Sequence, residues 1–145
     1  MSQLPALFAI LMGGIAIAMQ APLNGALGRT LGATLPAATV SFAVGFVALL
    51  VLSFATVGNP FGRLGAVPLW QWAGGLFGAY YVWSVIWGVP TLGVVTAMAA
   101  LILGQMAGAL ILDAVGAFGV AVQPISLTRI LAVVLVASGV VLSRL

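Results

Sequence analysis

Residues 4–28 read LPALFAILMGGIAIAMQAPLNGALG and form the first long apolar run of the chain. About 20 mostly apolar residues are enough for a helix to cross the hydrocarbon core of a bilayer. Near its end this run carries two amide side chains, Gln20 and Asn24, on either side of Pro22. The run therefore predicts a membrane helix, and its amides are the first candidates for a functional site.

The composition of the whole chain has the same character as this run. Of 145 residues, 64% are hydrophobic and only 3% are charged, whereas an average soluble domain is about 25% charged. One aspartate, Asp113, stands against four arginines scattered singly, and such scattering predicts no nucleic-acid binding. Histidine and cysteine are absent, so one chain lacks the residues of the usual metal sites and acid–base pairs. We expect a membrane protein with no enzymatic activity, cofactor or metal.

Five segments predict an all-α helical bundle that forms a single transmembrane domain over residues 1–145. Their approximate bounds are 4–28, 36–56, 70–88, 91–112 and 127–142. Proline is favoured in the first turn of a helix, where Pro36 lies, and disfavours helix at the residue before it, as Pro90 does at Val89. Residues 114–126 are apolar but interrupted by glycine and proline, and we interpret them as an interfacial or re-entrant segment.

The arginines predict no fixed orientation in the membrane. With five spans, Arg29 and Arg144 fall on one side and Arg63 and Arg129 on the other, so two charges oppose two. The bias that sets orientation is therefore zero. A sequence with few charges can balance by chance; alternatively, copies insert in both directions and pair as an antiparallel homodimer. An odd number of spans makes that dimer an inverted repeat, which many transporters use for alternating access.

Four polar residues inside the apolar runs are candidates for substrate binding. Gln20 and Asn24 are four residues apart and share one helix face. Gln105 lies in the fourth run and needs a polar partner if it is buried, for which Gln20 and Asn24 are the economical choice. Ser41 belongs to a stripe of small residues in the second run. For all four, the alternative is packing between helices, where a polar contact contributes about 1 kcal/mol.

Two further features have both a structural and a functional interpretation. Tyr80, Trp83 and Trp87 recur at helical spacing and could face lipid or form an aromatic wall for an apolar or cationic ligand. Asp113, near the end of the fourth run, could pair with Arg129 at the interface or act as a group that couples transport to an ion. An acid inside a membrane is a functional candidate by default.

Motifs that resemble those of a known family lie along nearly the whole chain. They are Gln20-x-x-x-Asn24-Gly25, Ser41-Phe42-x-x-Gly45, Trp72-x-Gly74-Gly75-x-x-Gly78-Ala79-x-Tyr81-Val82, Pro90-x-x-Gly93, Gly104-Gln105-x-x-Gly108 with Asp113, Phe118-Gly119 and Arg129. In these the chain resembles the drug/metabolite transporter superfamily, and more closely its short five-helix YdcZ-type members. Larger members contain two inverted five-helix halves, so the resemblance implies a half-transporter that works as a dimer.

The resemblance also sets a limit on mechanism. Small multidrug resistance proteins, which are similar relatives of four helices, use a glutamate in their first helix to exchange protons for cations. This chain has no acid there, and Gln20 and Asn24 are the nearest polar groups. That proton-coupling mechanism is therefore not carried over to this chain.

Together these observations predict a small-solute transporter of the bacterial inner membrane that works by alternating access as an inverted homodimer. Its partners would be the lipid bilayer, a second copy and a small molecule that the sequence does not identify. The alternatives are a non-transporting assembly subunit or one half of a heterodimeric transporter. A membrane enzyme is disfavoured because catalytic groups are lacking. The predicted substrate-binding residues are Gln20, Asn24, Gln105, Ser41, Tyr80, Trp83 and Trp87, with Asp113 as a possible ion-coupling residue.

Overall fold

The computed structural model describes residues 3–59 and 61–145. These residues contain five α-helices and no β-strand, which confirms the predicted all-α class. The helices are α1 Leu4–Leu31, α2 Thr34–Val57, α3 Ala73–Leu92, α4 Val94–Val115 and α5 Leu127–Leu142.

The helices α1 and α2 form a hairpin with a connection of only two residues. α1 extends three residues beyond its predicted end at Gly28, and Gly32 closes it in the left-handed conformation at φ 71°. Only glycine adopts that conformation at little cost, which makes it a common residue just after a helix. Ala33 is extended, and α2 begins at Thr34. Such a short connection places the end of α1 beside the start of α2.

The boundary between α3 and α4 lies at a glycine rather than at the proline. α3 directly follows the second of two 3₁₀ turns, Leu69–Trp72, and continues through Pro90 to Leu92. Gly93 then has φ 78°, which ends the regular helix, and α4 begins at Val94. A proline close to the end of a helix interrupts only the hydrogen bonds of its last turns, so α3 ends at Leu92, four residues beyond its predicted end at residue 88.

The chain divides into two compact units, one up to Thr91 and one from Leu92 onward. In the first unit, small residues let the three helices approach one another. A Cβ added at Gly28 would lie 3.5 Å from Cγ2 of Ile86 and 3.7 Å from Cβ of Ala37. The core of this unit contains Ala37, Ala38, Val82 and Ile86, with Leu27, Tyr81 and Trp83 packed against it.

The second unit is an antiparallel pair formed by α4 and α5. At one end, Oγ1 of Thr96 near the start of α4 donates to the carbonyl oxygen of Ser143, 3.2 Å away, just after α5. At the other end, Asp113 in the last turn of α4 pairs with Arg129 in the first turn of α5. Between the helices lie a 3₁₀ turn, Ala117–Gly119, and an irregular stretch over 120–126. The position of this connection in the bilayer stays a prediction.

Most apolar side chains of both units point outward. In α2 only Ala37 and Ala38 are buried, and α5 has no buried residue. Large exposed apolar surfaces on a protein mark contact with a membrane or with another chain. The helices α1, α2 and α4 are long and apolar enough to cross a bilayer, whereas α5 has only 16 residues. The described chain therefore has the surface of a membrane protein.

Candidate functional site in the first unit

The structure brings two of the predicted substrate-binding residues together. Nε2 of Gln20 on α1 donates a hydrogen bond to Oγ of Ser41 on α2, at 3.5 Å. Both side chains are half-buried. The hairpin positions them, because the short connection brings the last turns of α1 beside the first turns of α2. The two residues are 21 positions apart in the sequence, and the helix pairing makes them neighbours.

A groove of about 320 Å³ lies beside this polar pair. Its lining residues are Gln20, Ser41, Phe42, Gly45, Phe46 and Leu49. A Cβ added at Gly45 would meet no atom within 4 Å, so the missing side chain leaves open space in the groove. No charged residue lines it. The groove thus combines an uncharged hydrogen-bonding end with two aromatic rings, which suits a neutral or weakly polar small solute.

Asn24 lies one helical turn beyond Gln20 and differs from it in its surroundings. Its side chain is only 8% exposed. Within the described chain its amide has no hydrogen-bond partner, yet none of its polar atoms is completely enclosed. A buried amide without a partner costs roughly 1–3 kcal/mol. Asn24 therefore presents an open hydrogen-bonding capacity that water, a solute or another polypeptide could satisfy.

Pro22 adds a second open polar group to the same part of α1. Because proline has no amide hydrogen, it cannot donate to the carbonyl oxygen of Ala18 one turn earlier. The helix nevertheless continues through Pro22 to Leu31. A free carbonyl at membrane depth is tolerated where it lines a cavity or meets a neighbouring helix. This stretch of α1 is therefore its most polar part, as the sequence predicts.

The aromatic residues predicted as a wall form a continuous ladder along α3. The ring centroids of Tyr80 and Trp83 are 5.9 Å apart, and those of Trp83 and Trp87 are 6.3 Å apart with planes only 16° from parallel. Trp83 packs against the core, whereas Tyr80 and Trp87 are about two-thirds exposed. None of the three lines the groove of Gln20 and Ser41. Their role in substrate binding stays a prediction.

The second unit contains the two remaining candidates. Gln105 on α4 is exposed and makes no hydrogen bond within the described chain. The hydrogen-bond partner of Gln20 in the described chain is Ser41. The pairing of Gln105 with Gln20 or Asn24 stays a prediction. Asp113 forms an ion pair with Arg129, and each side chain is about one-third exposed. This pair is one of the two arrangements that the sequence leaves open for Asp113.

Sequence reasoning did not assign Phe42, Phe46 and Leu49 to the site. Their spacing contains the signal, because positions 42, 46 and 49 follow one another at helical period on α2. In a helix that is apolar all round, however, the same spacing occurs on every face. The groove could be located only after the partner of Ser41 was known.

Comparison with known protein families gives a match over nearly the whole chain. A family described as "Putative inner membrane exporter, YdcZ" matches residues 4–142. The comparison with curated proteins finds no match, and neither does the comparison with solved structures.

Proposed function

The chain belongs to the YdcZ family of inner-membrane proteins, and from that premise we propose that it exports a small uncharged solute bound in the groove of Gln20 and Ser41. The observation that carries the proposal is the hydrogen-bonded pair at one end of an otherwise apolar groove. Both helices that build the groove are long and apolar enough to cross a bilayer. A polar pair there has to be satisfied inside the protein or by a ligand, because lipid offers no hydrogen bonds.

Asn24 is not among the residues that line the groove, but it lies close enough on α1 to offer the solute a further hydrogen-bonding group. Its unpartnered amide, on a side chain that is only 8% exposed, lies one turn from Gln20 on the same helix face. A solute with a donor or acceptor would remove the cost of that open amide, and this contributes to binding. A site built around buried polar groups also rejects analogues that lack the matching group. In this proposal Asn24 determines specificity and Gln20 with Ser41 holds the solute.

We further propose that two copies work as an antiparallel dimer with alternating access. The equal division of the four arginines between the two sides supports it, since neither orientation is favoured. The exposed apolar surface of the described helices gives a second copy ample area to cover. In such a dimer the groove of each copy has an inverted counterpart, and exchange of the two conformations moves the solute across the membrane.

Transport in proteoliposomes tests the site. The measurement is efflux of a panel of neutral, cationic and anionic radiolabelled solutes by the wild-type protein and by Asn24→Leu. We expect efflux of a neutral solute, reduced about tenfold in the variant because its hydrogen bond to the solute is lost. Gln71→Leu is the matched control, since Gln71 is an exposed amide before α3 and lies on neither of the two helices that build the groove. Unchanged efflux in Asn24→Leu would refute the role of Asn24 in the site.

Sidedness measurements test the dimer separately. The chain has no cysteine, so single cysteines near each end can be labelled with an impermeant maleimide in sealed vesicles. Equal labelling from both sides is expected if both orientations are populated. A single orientation for every copy would exclude the antiparallel arrangement and leave the groove assignment standing.

A further inference from the structure

A second cavity lies between α4 and α5, and it differs from the groove of the first unit in having a charge. It has a volume of about 280 Å³. Its lining residues are Met106, Ala109, Leu110, Arg129, Ala132 and Val133. Five of these six are apolar, and the guanidinium of Arg129 supplies the only charge. On each helix the lining residues follow the spacing i, i+3, i+4, so the cavity runs inward from Arg129 along both helices.

The guanidinium of Arg129 has unused hydrogen-bonding capacity. One terminal nitrogen contacts a single carboxylate oxygen of Asp113, and the other donates to the backbone oxygen of Gln123 at 3.4 Å. A guanidinium has five N–H donors in a planar fork, which matches two oxygens of a carboxylate or phosphate. The contact with Asp113 uses only part of that fork. Moreover, an ion pair that is about one-third exposed contributes little, so another anion can compete with Asp113.

We propose that this cavity binds an anionic phospholipid, with the phosphate on Arg129 and part of an acyl chain between α4 and α5. The shape and polarity fit this class of ligand, since the charge is at one end and the apolar lining extends one to two turns inward. α5 also carries the exposed apolar side chains Leu131 and Leu135, so an acyl chain of the bilayer can lie against this helix. The proposal concerns binding alone and does not depend on transport through the first unit.

The phosphate and Asp113 compete for the same guanidinium, and this competition gives the proposal a distinctive signature. Asp113→Asn removes the competitor and is expected to tighten lipid binding by up to about fivefold, the largest effect of an exposed pair. Arg129→Gln is expected to weaken it at least tenfold. The affinity of Arg129→Lys should lie between those of the wild type and Arg129→Gln, because lysine keeps the charge but lacks the fork. A merely structural ion pair would give no tightening in Asp113→Asn.

The test uses the full chain in nanodiscs of phosphatidylcholine to which phosphatidylglycerol is added. The ¹³C-methyl signal of Met106, which lines the cavity, reports occupancy, and Met106→Leu assigns that signal. We expect saturable shifts with phosphatidylglycerol that follow the order given for the variants. Arg144→Gln is the matched control, since Arg144 is the other arginine of this unit and does not line the cavity. An equal loss of binding in Arg144→Gln would overturn the proposal in favour of general surface electrostatics.

A second variant and a soluble ligand provide two further tests of lipid binding. If Asp113→Asn fails to insert, Ala132→Leu fills the cavity and leaves the ion pair in place; binding must weaken several-fold, and unchanged binding would overturn the proposal. Octyl sulfate provides the soluble comparison. A Met106 shift with octyl sulfate but none with phosphatidylglycerol would show that the site takes a free amphiphilic anion, and the lipid proposal would be wrong.

Discussion

The two units of this chain differ in the charge of their polar residues and in how these residues are paired. In the first unit, the amide of Gln20 and the hydroxyl of Ser41 line a groove, and Asn24, one helical turn from Gln20, has no hydrogen-bond partner in the described chain. In the second unit, the charged pair of Asp113 and Arg129 joins α4 to α5 at one end of the helix pair. The first unit thus offers uncharged polar groups that are open to a ligand, whereas in the second unit a ligand would have to compete with an ion pair that joins two helices. Recognition in the first unit depends on hydrogen bonds, and in the second it depends on charge.

The largest expected effect concerns the segment that follows α4 in the second unit. Gly116 ends α4 at φ 62°, and a Cβ added there would lie 2.7 Å from Cγ2 of Val122. We expect Gly116→Ala to lower the free energy of unfolding by about 3 kcal/mol, from left-handed strain and from overpacking. Unfolding by SDS in mixed micelles measures it. Gly119→Ala is the matched control, because Gly119 also has positive φ, 84°, but open space around it.

Comparison of the two variants separates strain from crowding. Gly119→Ala should cost only the left-handed strain, about 1–2 kcal/mol. Val122→Ala should restore part of the stability lost in Gly116→Ala, because the crowding atom is then absent. If the two glycine variants lose equal stability, the segment around Val122 does not pack on the end of α4 as described.

The next effect concerns the open site. Gln20→Leu removes the donor to Ser41 and leaves an apolar side chain in its place, so we expect solute efflux to fall about thirtyfold, or roughly 2 kcal/mol. Ser41→Ala should have a smaller effect, since Gln20 can then bond the solute instead. The double variant should be no slower than Gln20→Leu alone. Additive losses would show that the two residues act independently and not as one binding pair.

The sequence was sufficient for the fold class because the composition restricts it so strongly. A chain with five charged residues and several apolar runs of about 20 can only form helices in a membrane or a closed barrel. The amides at positions 20 and 24 were likewise identifiable, since a polar residue in such a run is conspicuous. The contact of Gln20 with Ser41 was not, because pairing depends on how α1 turns into α2 at Gly32 and Ala33.

Helix boundaries were harder to predict from the sequence, because they also depend on the conformation of neighbouring residues. Pro90 is an unambiguous local signal, but its effect is confined to the hydrogen bonds of neighbouring turns, so α3 continues past it to Leu92. The lining of the groove by Phe42 and Phe46 was also missed. In a helix that is apolar on every side, no periodicity distinguishes a cavity wall from a lipid-facing surface.

A smaller effect tests whether the space in the groove matters as well as its polar end. Gly45→Leu places a side chain where the structure has open space, and we expect efflux to fall about tenfold, or about 1.4 kcal/mol. Gly74→Leu is the control, because Gly74 on α3 is also open and does not line the groove. Equal losses in both variants would point to a general requirement for glycine in these helices.

The smallest expected effect concerns the ion pair itself. Because Asp113 and Arg129 are each about one-third exposed, solvent screens their attraction, and Asp113→Asn should lower the free energy of unfolding by less than about 1 kcal/mol. Arg129→Gln and the double variant complete a double-mutant cycle in the same SDS titration. Solute efflux through the groove of the first unit should be unchanged, since neither residue lines it.

A loss of 3 kcal/mol or more in either single variant would mean that the pair is desolvated in the membrane, because a buried charge without its partner is costly. The second unit would then hold a charge pair buried in the membrane, although its side chains are about one-third exposed in the isolated chain. It would differ from the uncharged groove of the first unit in requiring that two charges stay paired within the bilayer.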